Sequence, residues 1–365
     1  MKRFTIILLV VSIMAAGAMA LLAIGCGGGS NGDPAEVIDK AYAKSFDYDT
    51  LHSEYDVQLK VSGDVSTLSP ELQGILPLEL GISGSADVDN SDTENPKMQA
   101  TVSLDGLNDI IQGMVGGMSA NETEAAATAN MVSSLFSNLE FKMVDKVFYV
   151  SMMGSWYEVD TNEVTSQVAG GADEVDSKCV QDAIKEKVIP SAVLTGIEDV
   201  GSEDIDGEKT THYKASVDMA KLVEATAEAS RQCDQAETAG GLEGAKSQLN
   251  DMFKKMDVDM WIDGDNNVRK LKMDMEIDTA ALSGMGDTPL GSDQEKALES
   301  MSITLTATVI QSGFNEDVDI TAPEGALPLE DLLGGFGVGG NGLGGGLGGG
   351  GGGSTSSTTT NPFNT

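Results

Sequence analysis

Over the second arm of residues 256–278, MDVDMWIDGDNNVRKLKMDMEID, apolar and polar side chains change places at every step. Leu271, Met273, Met275 and Ile277 share one parity, while Lys272, Asp274, Glu276 and Asp278 share the other. A period of two is that of a strand with one dry face and one wet face. Between the arms lie Asp263, Gly264, Asp265, Asn266 and Asn267, residue types that tolerate positive φ and reverse a chain. The stretch therefore predicts a β-hairpin. The same alternation recurs at Tyr55, Val57, Leu59 and Val61, at Ile82, Gly84, Ala86 and Val88, and at Met98, Ala100, Val102 and Leu104. It is most regular at Met301, Ile303, Leu305, Ala307 and Val309, where the wet positions are filled mainly by β-branched threonine. Residues 139–160 predict a hairpin turning at Asp145 and Lys146, followed by a short strand around Trp156 and Tyr157. Residues 210–217 predict another strand, and residues 318–321 a last one before Pro323. Together these imply a large, mostly antiparallel sheet with a single oily face.

Elsewhere the period lengthens. Asp33 as N-cap and Pro34 at the first helical position open a short amphipathic helix with Val37, Ile38, Ala41 and Tyr42 on one side. Residues 107–138 carry two runs at helical spacing with a polar break at 119–124, rich in Gly and Met. They predict two inserted amphipathic helices, either a plain cover over a core or an adaptable lid over a ligand. Further helices are expected over residues 173–189, stopped by Pro190, over 219–233 and over 242–253.

The two ends stand outside this pattern. Lys2 and Arg3 precede an uncharged apolar run over residues 4–24 that closes in LLAIGC, which reads as an export signal. Its last residues resemble the lipobox of bacterial lipoproteins. That resemblance makes Cys26 the mature first residue, thioether-linked to diacylglycerol with acyl groups of the palmitate class. An uncleaved transmembrane anchor is the alternative, since the run is just long enough to span a bilayer. Either places the folded part outside the cytoplasm, tethered to a membrane. Beyond Gly334 the chain is almost all Gly, Ser, Thr and Asn, a composition that cannot bury enough apolar surface to offset ordering. The expected organisation is a signal peptide at 1–25, a tether at 26–33, one folded domain at 34–325 and a disordered tail at 326–365.

Composition narrows the partners. Fifty-eight acidic residues against 22 basic ones give a net charge of −36. Such a surface stays solvated and opposes phosphate backbones, so nucleic acid is not expected as a partner. With Cys26 assigned to lipid, Cys179 and Cys233 are an even pair in an oxidising compartment. A disulfide between their two helices is expected, the alternative being two separately buried thiols.

Motifs for catalysis are thin. Asp263, Asp265 and Asn267 imitate the opening of a calcium loop, but Val268 stands where that loop needs Gly and Asp274 where it needs Glu, and a hairpin turn explains them more simply. Residues 241–247, GLEGAKS, lack the spacing of a phosphate loop. His52 and His212 have no Cys or His at ligand spacing, so no metal site is expected. No GxSxG elbow supports a hydrolase, and the chain is not expected to be an enzyme.

Taken in order, the lipobox, the short helix, three strands and then FKMVDKVFYVSMMGSWYEV, GIEDVGSEDIDGEKTTHYKASVDM, VDMWIDGDNNVRKLKMDMEI and a closing strand before ITAPEGA resemble the LppX/LprA/LprF/LprG group of envelope lipoproteins. The most specific parts are Ile205, Asp206 and Gly207 leading to Thr211, His212 and Tyr213, and the Trp261, Ile262, Asp263 hairpin. The group in turn is similar to the LolA/LolB carriers. The resemblance implies an α+β fold: a strongly curved antiparallel half-barrel with helices in its concave mouth around an apolar cavity. It implies non-covalent binding of an acylated lipid or glycolipid and its carriage across the envelope, with an envelope transporter as a possible docking partner and no cofactor. A curved sheet cannot fill its own concavity, so its oily face must meet helices, a ligand or both. The candidate lipid-facing residues are Val57, Leu59, Ile82, Val102, Phe141, Met143, Met273, Met275, Ile303 and Leu305. The alternative is that these residues are ordinary core, in a cavity-free lipoprotein acting as a protein-interaction or scaffolding module.

Overall fold

A computed structural model describes residues 32–63, 76–92, 94–108, 110–111, 138–159, 177–233, 236–281, 296 and 299–329. The expected signal peptide, Cys26, most of the 107–138 segment and residues 330–365 lie outside the described part.

Among the described residues twelve strands form one large, open, curved sheet. In chain order they are β1 (Thr50–Ser62), β2 (Leu78–Asp89), β3 (Lys97–Asp105), β4 (Leu139–Val144), β5 (Val147–Met152), β6 (Ser155–Val159), β7 (Leu194–Ile205), β8 (Glu208–Val217), β9 (Phe253–Asp263), β10 (Val268–Ile277), β11 (Ser302–Ser312) and β12 (Leu327–Pro328). Across the sheet the order is β12, β6, β5, β4, β3, β2, β1, β11, β10, β9, β8, β7. Every pairing is antiparallel except that of β12 with β6. The architecture is α+β and half-barrel-like, as the alternation and the resemblance together led one to expect.

Directly opposed residues of antiparallel strands share a face. The register therefore carries one apolar parity from strand to strand. Met273 opposes Ala307, Ala307 opposes Val57, and Val57 opposes Ile82. Ile82 opposes Leu104, Ala100 opposes Phe141, and Phe141 opposes Val150.

Helices cover this face at one end of the sheet. In α1 (Pro34–Ser45), Asp33 Oδ1 accepts the backbone N–H of Ala35 at 3.2 Å, Pro34 sits at the first position, and Val37, Ile38, Ala41 and Tyr42 are buried. The Tyr42 hydroxyl donates to the Ile184 carbonyl at 3.0 Å, and burial pushes that phenol up to about 12. Ile184 belongs to α2 (Ser177–Lys187), which precedes the single turn α3 (Pro190–Val193). Asp39 of α1 accepts the N–H and hydroxyl of Ser191, fastening α3 to α1. The layer is completed by α4 (Met219–Gln232), with α5 (Ala236–Met252) packed beside it.

Several elements depart from the sequence expectation. Pro190 does not merely stop α2 but opens α3, because proline lacks only an N–H that a first turn leaves unpaired anyway. The helix expected from 242 begins at Ala236 and takes Gly240 and Gly241 into its interior; packing against α4, with Ala239 fully buried, outweighs their poor propensity. β7 carries no alternation because it is an edge strand exposed along most of its length, bulged at two places and studded with acids. Residues 318–321 form no strand. Instead residues 313–326 cross to the opposite edge, where β12 caps β6 just past the expected domain end at 325.

Gly84 in β2 is held by a close approach. A Cβ there would overlap the Thr101 carbonyl oxygen and stand 2.6 Å from the Tyr55 hydroxyl, which reaches across β2 to donate to that same carbonyl at 2.7 Å. Gly84→Ala must push β3 from β2 or expel Tyr55. It is expected to cost about 1–3 kcal/mol, read as a lowered midpoint in denaturant unfolding, whereas Gly207→Ala, with open space around its Cβ but φ +86°, reports backbone strain alone.

Candidate lipid-binding face

All ten candidate residues fall on the one oily face, but in two different settings. Met273, Met275, Ile303 and Leu305 are between 2% and 4% exposed and belong to the main core, with Val57 and Leu59 half-buried against them. The same cluster holds Ile38, Ala41 and Tyr42 of α1, with Leu222 of α4 packed against it. Ile82, Val102, Phe141 and Met143 lie farther along the sheet and are half-buried. Phe141 packs with Val150, Tyr157, Met152, Val159 and Leu329 in a smaller cluster.

Where α1, α3 and α4 meet the sheet they leave a pocket of about 40 Å³, bounded among others by Ile38, Val193, Leu222, Met260, Leu271 and Met273. Every lining residue is apolar. Its size matches about one water molecule, whose share of the liquid is roughly 30 Å³, and is far below the ~300 Å³ where ligand pockets begin. Of the ten candidates only Met273 borders it. The neighbouring Met275, Ile303 and Leu305 are buried in the main core cluster and do not border the pocket.

The hairpin between β9 and β10 fastens this end of the sheet. Asp265, Asn267 and Arg269 all turn toward Asp263: its Oδ1 accepts the backbone N–H groups of Asp265 (2.9 Å) and Asn267 (2.8 Å), and its Oδ2 accepts Asn267 Nδ2 and Arg269 Nε at 2.7 Å each. Asn266 takes the left-handed backbone at φ 57°, a conformation asparagine tolerates. Asn267 Oδ1 then accepts from the Tyr48 hydroxyl at 2.8 Å, which ties the turn to the segment after α1. With its oxygens so engaged, Asp263 is a turn residue, as the broken calcium pattern suggested. Among the described residues no group of three or more His, Cys, Asp or Glu side chains is arranged to hold a metal.

Two clusters on the wet face escaped the sequence reading. His212 Nε2 lies 2.7 Å from Asp259 Oδ1, its ring stacks on Trp261 at 4.3 Å, and the indole N–H donates to Glu203 at 2.8 Å. Nδ1 of His212 is 3.3 Å from Glu203 Oε1 but out of line for a hydrogen bond. This histidine is nearly buried rather than on the open sheet surface. On the other half, His52 Nδ1 lies 2.6 Å from Asp87 Oδ1, and Gln99 Nε2 donates to Asp87 Oδ2 at 2.9 Å. Burial pushes the Asp87 carboxyl up, but the hydrogen bonds from Gln99 and His52 and the His52 charge outweigh it, leaving Asp87 below the ordinary carboxylate range. Both clusters join residues on neighbouring strands, so only the register makes them visible. The one sequence hint, Asp259 and Trp261 sharing the wet parity of β9, concerns the His212 cluster alone.

Cys179 in α2 and Cys233 at the end of α4 form a disulfide with Cα atoms 5.7 Å apart, joining two helices of the cover.

No protein-family model matches the chain, and no curated protein does. Solved structures do. The chain is similar to the Mycobacterium tuberculosis lipoprotein LppX, at 16% identity over 80% of this chain and 100% of that one, with a TM-score of 0.34. It is similar to LprF from Mycobacterium bovis, at 14% identity over 82% and 100%, with a TM-score of 0.38. A putative outer membrane lipoprotein-sorting protein domain from Vibrio parahaemolyticus follows at 6% identity over 78% and 90%, with a TM-score of 0.16. The two mycobacterial lipoproteins are of the group that the chain's motifs resemble.

Proposed function

We propose that the chain is an extracytoplasmic lipoprotein, anchored through Cys26, that binds an acylated lipid or glycolipid non-covalently and carries it across the cell envelope without chemical turnover. The observation that carries this reading is the wholly apolar pocket at Met260, Leu271 and Met273, set where three helices meet one continuous oily face. In this reading the pocket of about 40 Å³ is the closed state. In this reading lipid entry moves α3 and α4 off β9 and β10, and the pliable side chains of Met260 and Met273 reshape around the acyl chain. Each buried methylene contributes about 0.8 kcal/mol without directional demands, so a chain of ordinary length can offset the packing it displaces. The lipid anchor keeps the carrier at its donor membrane, and an envelope transporter is the natural docking partner.

A second reading is favoured by a specific observation. Met275, Ile303 and Leu305 are only 3–4% exposed, which suits a cavity-free protein-interaction or scaffolding module. Organic-solvent extraction of the purified protein, followed by titration with a fluorescent acyl probe, separates the two. The carrier is expected to yield about one lipid per chain, or to take up the probe with a dissociation constant near ~1 μM. A protein that is dry and takes up no probe sinks the carrier and leaves the module.

A further inference from the structure

We infer that the wet face over β2–β6, opposite the oily one, is a binding site for a neutral glycan. A half-open groove of about 350 Å³ lies there, within the ~300–1,000 Å³ range of small-molecule sites. Its origin is in the register. Ser85, Thr101, Glu140, Ser151 and Trp156 oppose one another in a single row across five strands. In that row Ser85 and Thr101 are the small lining residues, and Trp156, two strand spacings or roughly 10 Å from Glu140, lines the groove with them. The next row on the same face, Asp87, Gln99 and Lys142, is long and forms a wall.

That wall is held in place before any ligand arrives. His52 and Gln99 clamp Asp87, which fixes the Gln99 amide. Lys142 Nζ donates to the Thr321 carbonyl at 3.2 Å and lies 5.6 Å over the Trp156 ring. Glu140 is exposed and, among the described residues, its carboxylate has no hydrogen-bond or ion-pair partner. Preorganised polar groups with one open acceptor are what a recognition site requires.

The lining chooses the class of ligand. It offers acceptors at Glu140, an amide at Gln99, a cation at Lys142, hydroxyls at Ser85 and Thr101 and one half-buried indole. Sugar rings match this set, since their hydroxyls both donate and accept and their C–H faces lie against an indole. An acyl chain is excluded because it would strand these polar groups without partners. Phosphates and other anions meet two carboxylates against one ammonium, on a chain of net charge −36. The inference does not depend on the lipid reading.

The test uses the full chain in a non-glycosidic detergent with cellotriose, mannotriose, chitotriose and galactotriose as probes and glucose 6-phosphate as the anionic control, read by saturation-transfer NMR. At least one neutral trisaccharide is expected to bind with a dissociation constant of ~1 mM or tighter. Glu140→Gln and Trp156→Ala are expected to weaken it about tenfold or more. Glu140 is exposed, so its substitution leaves the thermal midpoint unchanged even if Trp156→Ala unfolds. Binding undiminished by Glu140→Gln, preference for the anionic control, or no binding by any trisaccharide overturns the inference.

Discussion

Asp263→Ala is expected to lower stability by about 3–5 kcal/mol, the cost of removing one member of a buried charge pair. Asp263 is 5% exposed at its side chain and its partner Arg269 is 18% exposed, with Nε 2.7 Å from Oδ2. Without the carboxylate, two backbone N–H groups, the Asn267 amide and the Arg269 guanidinium lose their acceptor together. The damage spreads, because Asn267 also receives Tyr48, and Arg269 lies over the Phe314 ring at 4.8 Å. Asp263→Asn keeps an oxygen for the two backbone donors but turns an NH2 toward Asn267 Nδ2 and Arg269 Nε, so it loses those two bonds with the charge and is expected to cost less than Asp263→Ala only by the backbone bonds it retains. Urea unfolding of the two variants checks this. Equal losses would show that the turn geometry contributes little and the ion pair nearly everything.

Removing the disulfide is expected to have a comparable effect. Cys179 and Cys233 are 54 residues apart in sequence, and closing a loop of that length removes about 4 kcal/mol of chain entropy from the unfolded state. Reduction, or Cys179→Ala with Cys233→Ala, is expected to lower the thermal midpoint by on the order of 10 °C. It also frees α4 from α2, and Leu222 of α4 borders the apolar pocket. Under the carrier reading the reduced protein takes up an acyl probe faster than the oxidised one. Calorimetry with and without reductant measures the first effect and stopped-flow fluorescence the second. An unchanged midpoint would mean that the cover is held by packing alone.

Much of the fold could be read from the chain because most strands have water on one side and core on the other. Leu271, Met273, Met275 and Ile277 alternate with charged residues for that reason, and the turn at Asp145 and Lys146 adopts positive φ at both positions, as a tight hairpin requires. β7 was illegible because an edge exposed on both faces has no parity to show. The glycines of α5 misled because propensity is weaker than the packing of Ala239.

The candidate site divides along the same line. Alternation placed all ten residues on one face, since a strand cannot change parity without a bulge. It could not say that Met275, Ile303 and Leu305 would be buried in the core while a gap remains beside Met273, because that depends on where helices distant in sequence come to rest.

By itself the sequence determined which side chains face inward and where the chain turns, because each follows from local period or local backbone preference; it raised the pairing of Cys179 with Cys233 as an expectation, which the structure bears out. Only the tertiary structure decided how full the oily face is and which polar residues meet across the wet one. Both are matters of register and packing between segments far apart in the chain, where the shift of a strand by one residue or of a helix by a few ångströms changes every neighbour.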